Sequence, residues 1–248
     1  MSLTITQTKT ALAVKNTASF LASGGTGPYT FTVAPGGAGG TIGALTGLYI
    51  APTTLNDDPS KLFDTIEVVD SLADTGSAQI MVGDALLLFC EILERSLGLA
   101  QGRVFLWNQK IFKPTDDGLF IAVSVPVCKP FGNTIRPSSA GWSASDQHAN
   151  MLAQLDLDII SRGPAARTRK EEVMLALNSI YSQAQQEANS FSIGRIPAGA
   201  RFNNLSDIDG AAIPYRYRIS VNMQYTVSLQ KSVDYYDTFE SVEILTNP

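Results

Sequence analysis

The chain is poor in the residues that most often carry chemistry. Of its 248 residues one is His (His148) and two are Cys (Cys90 and Cys128). A single imidazole excludes multi-His metal sites and makes any His-based triad depend on His148. Two thiols allow one bridge at most, and neither belongs to a C-x-x-C pair. Each ends an apolar run, ALLLFC and VSVPVC, which reads as buried, reduced cysteine in a chain folded in the cytoplasm. No apolar stretch approaches a membrane span, and the opening MSLTITQTKT lacks a signal-peptide core, so a soluble, unexported chain is expected. Positive charge is also short. Lys plus Arg is 18 against 23 Asp plus Glu, a net of −5, and no global basic surface recruits nucleic acid or anionic lipid.

What the chain does have is apolar content: 44% hydrophobic against 17% charged residues, enough for a packed core. Its length suits one large domain or two smaller ones. A composition break near residue 84 favours two. Residues 1–84 hold 11 of the 20 glycines, with three basic and seven acidic residues, whereas 85–248 carry 15 basic and 16 acidic. The acidity sits almost wholly in the first third. That third reads as all-β: Thr- and Val-rich runs (LTITQTKTALAV, YTFTVA, TGLYIAP, DTIEVVD, GSAQIMV) alternate with turn clusters such as GGTGP and LNDDPS. The Gly-rich stretch 36–43 has no Lys or Ser/Thr-led helix after it, so it is read as a flexible interstrand loop rather than a phosphate cradle.

After Asp84 the period changes. Leu86, Leu87, Cys90, Leu93 and Leu97 recur at helical spacing, with Asp84 as N-cap and Gly98 as terminator. Strands follow at 104–107, in GLFIAVSVPV and in MLAQLDLDIIS. Between the last two, residues 130–148 are polar, Pro/Ser-rich and aperiodic, and read as a long hairpin loop. AARTRKEEVMLALNSIYSQAQQEA predicts one long helix with a stripe of Val173, Leu177, Ile180, Tyr181 and Ala184. From Tyr215 to Gln230 eight apolar or aromatic residues alternate with eight polar ones, a strand of roughly 50 Å that is longer than most and expected to contain a bulge or pair with a neighbouring chain. A last strand is expected over 234–244. Helices segregated to one face of a mainly antiparallel sheet make residues 85–248 an α+β domain.

Two resemblances bear on these halves. Gly24-Gly25-Thr26-Gly27-Pro28-Tyr29-Thr30-Phe31, Gly47-Leu48-Tyr49-Ile50-Ala51-Pro52 and Asp64-Thr65-Ile66-Glu67-Val68-Val69-Asp70 resemble the strands of bacterial and phage immunoglobulin-like domains. This implies an immunoglobulin-like β-sandwich over 1–84, of the kind that decorates virion proteins, adhesins and glycosidases. The order of elements after 84, with RYRISVNMQY followed by VDYYDTFES, is similar to the tail or neck terminator family of tailed phages. That resemblance implies a non-enzymatic virion protein: a homo-oligomeric ring, a hexamer, that caps the tail tube and joins it to the head-tail connector protein. DNA would pass through its lumen without sequence-specific binding, and no cofactor is implied. A head–tail connector, decoration or baseplate protein is the alternative, and a carbohydrate-active enzyme a more distant one.

Four groups of side chains merit attention. His148 with Asp146 lies among Ser138, Ser139, Ser143 and Ser145, but no Gly-x-Ser-x-Gly elbow surrounds them. Asp156 and Asp158 share a strand face, where paired carboxylates could do acid–base work or hold a cation. Arg162, Arg167, Arg169 and Lys170 open the long helix against its dipole, and fit an acidic neighbour or DNA in a lumen. Tyr215, Arg216, Tyr217, Arg218, Tyr235 and Tyr236 interleave the two residue types enriched at protein interfaces. The expected subunit or partner interface is therefore built from this last group with Arg167, Arg169 and Lys170.

Overall fold

A computed structural model describes residues 3–56, 58, 61–107, 114–138, 141–194, 201–206 and 215–232. The protein is mostly β, with several sheets and few helices. The first eight strands make two four-stranded sheets. One has the order β1 (Thr4–Gln7), β3 (Thr17–Ser23), β6 (Leu48–Ile50), β5 (Thr41–Ile42), all antiparallel. The other has the order β2 (Ala11–Ala13), β8 (Thr75–Gly83), β7 (Phe63–Val69), β4 (Thr30–Val33), with β2 parallel to β8. Period-2 alternation sends Leu12, Phe20, Phe31, Tyr49, Ile66, Val68 and Ile80 into one buried cluster between them. Phe20 meets Tyr49 edge-on at 6.1 Å.

One buried carboxylate organises the glycine-rich stretch. Asp64, on β7 and fully buried, accepts hydrogen bonds from the Tyr49 hydroxyl (2.5 Å) and from the backbone N–H groups of Gly39 (3.2 Å) and Gly40 (2.8 Å). The loop expected to be flexible is thus pinned to the core, and it contributes β5. Glycine is required because a Cβ at Gly40 would overlap the Tyr49 phenol, and one at Gly37 the Phe63 carbonyl. Burial, with Asp64 alongside, pushes the Tyr49 hydroxyl far above its ordinary pKa.

The second half begins as expected. α1 (Ala85–Ser96) is capped by Asp84, whose carboxylate accepts from the Leu87 N–H at 2.8 Å, and Gly98 follows at φ +63°. Then come β9 (Val104–Leu106), β10 (Phe120–Ser138), β11 (Gly141–Ser161), α2 (Ala165–Arg169), α3 (Glu172–Leu177), α4 (Ile180–Asn189), β12 (Phe191–Ile193), β13 (Asn203–Asn204) and β14 (Tyr215–Ser232). Their sheet has the order β12-β14-β11-β10-β9, with β13 also on β14, and only β9 and β10 run parallel. Leu155, Leu157 and Ile159 of β11 and Tyr217, Ile219 and Val221 of β14 turn to one face. There they share a core with Leu88, Phe89, Ile92 and Leu93 of α1 and with Ala166, Val173 and Leu177. None of the described helices is long and apolar enough to cross a membrane.

Three further expectations need correction, the first being the burial of both cysteines: Cys90 is buried but Cys128 is exposed. The long helix is three short ones. Ser179 is extended (φ −67°, ψ 158°) and its hydroxyl accepts from the Ser182 N–H, so Asn178-Ser179 ends one helix and caps the next. The break rotates the stripe: Val173 and Leu177 stay buried, Ile180 is 87% exposed, Ala184 is exposed, and α4 buries Ser182, Gln185 and Asn189 instead. Residues 130–148 are not a loop either. Most of them continue β10 and β11, which pair from Phe120↔Ile160 out to Ser138↔Gly141. Pro130 and Gly132 bound a bulge in β10, which admits residues that break a sequence pattern, and a further register shift follows Pro137. The strand expected over 234–244 lies outside the described residues.

The polar face of α4 has a task. β2 is an edge strand, and its Ala13 N–H donates to the Asn189 side-chain oxygen at 2.8 Å. Beside it the Thr10 hydroxyl lies 3.1 Å from the Tyr181 hydroxyl, which donates to Glu91 at 2.6 Å, while the Arg95 guanidinium lies 4.7 Å over the Tyr181 ring. These contacts join the first eight strands to α1 and α4. Two outcomes follow. Gly40→Ala should lower stability by about 3 kcal/mol, because a buried phenol hydrogen-bonded to Asp64 must move. Tyr181→Phe should cost about 1 kcal/mol in chemical denaturation by leaving Glu91 one donor short.

Candidate interaction surface

The face of the sheet opposite the helices carries the alternate residues of β11 and β14. Register sets Asp158 opposite Arg218 and Asp156 opposite Ser220. Asp158 is buried, and both its oxygens are taken: Arg218 donates from Nε to Oδ1 at 2.8 Å and from Nη2 to Oδ2 at 2.7 Å, and Arg216 Nη2 donates to Oδ2 at 2.7 Å. Asp156 accepts from the Ser220 hydroxyl at 2.6 Å and lies 3.8 Å from Arg218. Burial alone would raise the Asp158 pKa. The hydrogen bonds from Arg218 and then Arg216 outweigh it and hold the carboxyl below its ordinary value. A carboxylate so held stays ionised and has no proton to exchange near neutral pH.

The expected interface residues are therefore placed in two different settings. Arg216 and Arg218 lie on this open face, 40% and 33% exposed and bound to Asp158. Tyr215 and Tyr217 lie on the helix side. Arg167 stacks over the Tyr215 ring at 5.7 Å and the Lys170 ammonium over the Tyr217 ring at 5.3 Å, and Tyr217 is buried. The cations at 167–170 and the tyrosines of the long strand, read from sequence as separate elements, thus meet each other. Arg169 donates to the Leu97 carbonyl at the end of α1 (2.8 Å) and to Glu172 (2.8 Å), and Arg162 donates to the Thr115 carbonyl (2.6 Å). These cations hold the fold together, and their in-chain partners leave them poorly placed for a charge-only contact. Tyr235 and Tyr236 lie outside the described residues.

His148 is on β11, opposite Thr134 and Ser228, rather than in a loop. Among the described residues no group of three or more His, Cys, Asp or Glu is arranged to hold a metal ion.

What sequence reasoning missed is the arm. Among the described residues the buried core reaches Val123, Ala153 and Met223 and goes no further along these strands. Yet β11 extends from Ala153 back to Gly141, roughly 40 Å, flanked by β10 and β14. Along it β9 pairs with β10 only at 121–123, and β12 and β13 pair with β14 only at 223–225 and 217–218. Both outer edges of the arm, 127–138 on β10 and 226–232 on β14, therefore have no strand partner among the described residues. Val127, Phe131 and Val227 are about half exposed there (48%, 56% and 49%). The signal that could have found it was the polar alternation of 141–150 next to an unusually long strand.

Replacing Asp158 by Asn should cost about 2 kcal/mol at pH 7, the loss on breaking a partly buried ion cluster. The sign with pH is fixed by the depressed carboxyl: its contribution is present above the ordinary Asp pKa and is lost as pH falls through the lower folded value. The gap between wild type and variant, followed by urea unfolding, should close in acid.

No protein-family model matches this sequence, and no curated protein matches it significantly.

Proposed function

We propose that this chain is a ring-forming structural protein of a tailed-phage virion, of the tail or neck terminator kind, carrying an immunoglobulin-like domain at its N-terminus. The observation that carries the reading is the arm. Two strand edges on opposite sides of one ribbon, without a strand partner among the described residues, are the geometry of a head-to-tail contact: β10 of one copy can extend the sheet of the next at β14, and such a heterologous contact makes a ring where its rotation closes. Strand order in the first half favours the immunoglobulin-like reading. β1 and β2 divide between the two sheets, and β2 runs parallel to the last strand, β8.

The charge arrangement fits work done by assembly. Asp156 and Asp158, the carboxylates of a carbohydrate-active reading, are held by Ser220, Arg216 and Arg218. The cations at 162–170 are engaged within the chain, so in this reading they do not grip DNA that passes a lumen. In this reading the partners are other copies of the chain, the tail tube protein and the head–tail connector protein. The immunoglobulin-like domain is held by the Thr10–Tyr181–Glu91 contact instead of hanging on a free linker.

Mass and symmetry of the purified protein test this. The expected result is a closed ring of six copies, reduced to monomer by Val127→Asp with Phe131→Asp at unchanged thermal stability. A protein that stays monomeric at high concentration and in assembled particles contradicts it. A ring located away from the head-proximal end of the tube would instead indicate a connector, decoration or baseplate protein.

A further inference from the structure

The outer face of the sheet β1-β3-β6-β5 differs from the rest of the first half. None of its 16 strand residues is Asp, Glu, Lys, Arg or His, and the one phenol, Tyr49, points into the core. All seven acidic residues of the first 84 lie elsewhere. On its outer side Leu21, Leu48 and Ile50 are 61%, 42% and 47% exposed. Register makes them neighbours: Ser19 pairs with Leu48 and Thr17 with Ile50, which puts Leu21 diagonal to Leu48, and Thr6 pairs with Leu21 on the other side. The outer face of the second sheet has an exposed Glu67 and no exposed large apolar residue.

We infer that this face is a self-association surface, and that its partner is the same face of a second copy of this chain. Charge decides the partner. The first half is acidic, so two copies approaching through their acidic surfaces repel each other, whereas this face can meet itself without that opposition. The face offers no cation for a phosphate or nucleic acid. It has no aromatic platform or carboxylate for a sugar either. A hydroxyl and aliphatic surface is self-complementary: Leu and Ile bury against one another, and Thr and Ser hydroxyls both donate and accept.

Its extent sets the strength. Strands about 4.8 Å apart and at most seven residues long cover about 400 Å² per copy, or about 800 Å² in all, against about 1,200 Å² or more for a stable complex. The contact is weak between free copies and gains strength where copies are already held close. It uses no residue of β10, β11 or β14, so it stands apart from the ring.

Cysteine cross-linking tests it. In a Cys128→Ser background, which removes the exposed thiol, Thr6→Cys and Thr17→Cys mark the face and Gln79→Cys marks the outer side of the other sheet. With a short bismaleimide, the two face variants should give concentration-dependent dimer well above the Gln79→Cys yield. Adding Leu48→Lys, which sets two cations against each other, should cut that yield about tenfold at unchanged thermal stability. The cross-link should persist in the Val127→Asp, Phe131→Asp variant, which separates it from contacts made through the arm. Equal yields at the three positions, indifference to Leu48→Lys, or loss of the cross-link with the arm variant would each overturn the inference.

Discussion

The pairing of β11 with β14 is the constraint on which the second half of the molecule depends. Eighteen residues of β14 face eighteen of β11 in one unbroken register, from Ser161↔Tyr215 to Ala144↔Ser232. Because side chains alternate with period two, that register fixes at once which residues enter the core and which face away. A slip by one would turn Tyr217, Ile219, Val221 and Met223 outward and bring the guanidinium groups under the helices. The ion cluster opposes such a slip: Arg218 reaches Asp158 because the two stand opposite each other. Polar bonding on one face and apolar packing on the other thus select the same alignment.

The same pairing explains how the protein combines a rigid body with an extended arm. Where α1, α2 and α3 cover the sheet, burial stabilises it. Beyond Ala153 the described strands are held by hydrogen bonding and cross-strand contacts, on a central strand paired along both sides. The bulges on β10 fall at Ser124–Val127, around Pro126, and at Pro130–Gly132; the outer side of β10 from Val127 on has no strand partner among the described residues, and β11 carries no proline. At the other end, the edge of β2 is closed by Asn189. One exposed edge is therefore satisfied inside the chain, while the arm's two edges have no strand partner among the described residues, and that contrast motivates the reading of the arm as a contact surface.

Much of the body was legible because its signals are periodic. The alternation from Tyr215, the Leu repeat of α1 with its Asp84 cap, and the Thr- and Val-rich strands before residue 84 all express a face or a cap in local sequence. What was not legible depends on distant partners. Asn178-Ser179 breaks a helix because Ser179 finds a better role as a cap, and periodicity alone does not weigh that. The polar run 130–148 resembles a loop because, among the described residues, the buried core ends at Val123, Ala153 and Met223 and asks this stretch for no apolar stripe. Arg167 and Lys170 looked free, since nothing in their own segment reveals that Tyr215 and Tyr217 lie across from them. The buried Asp64 and the glycines it holds are separated by some 25 residues, so the Gly-rich stretch looked unconstrained.

The central claim is that the arm's edges are strand-pairing surfaces between copies, and backbone hydrogen exchange reads those edges directly. The outward-facing amides among 127–138 and 226–232 should exchange fast in the dissociated protein and become strongly protected in the assembled one, while those of β11, already paired on both sides, change little. Equal exchange of these edge amides in both states would contradict the account.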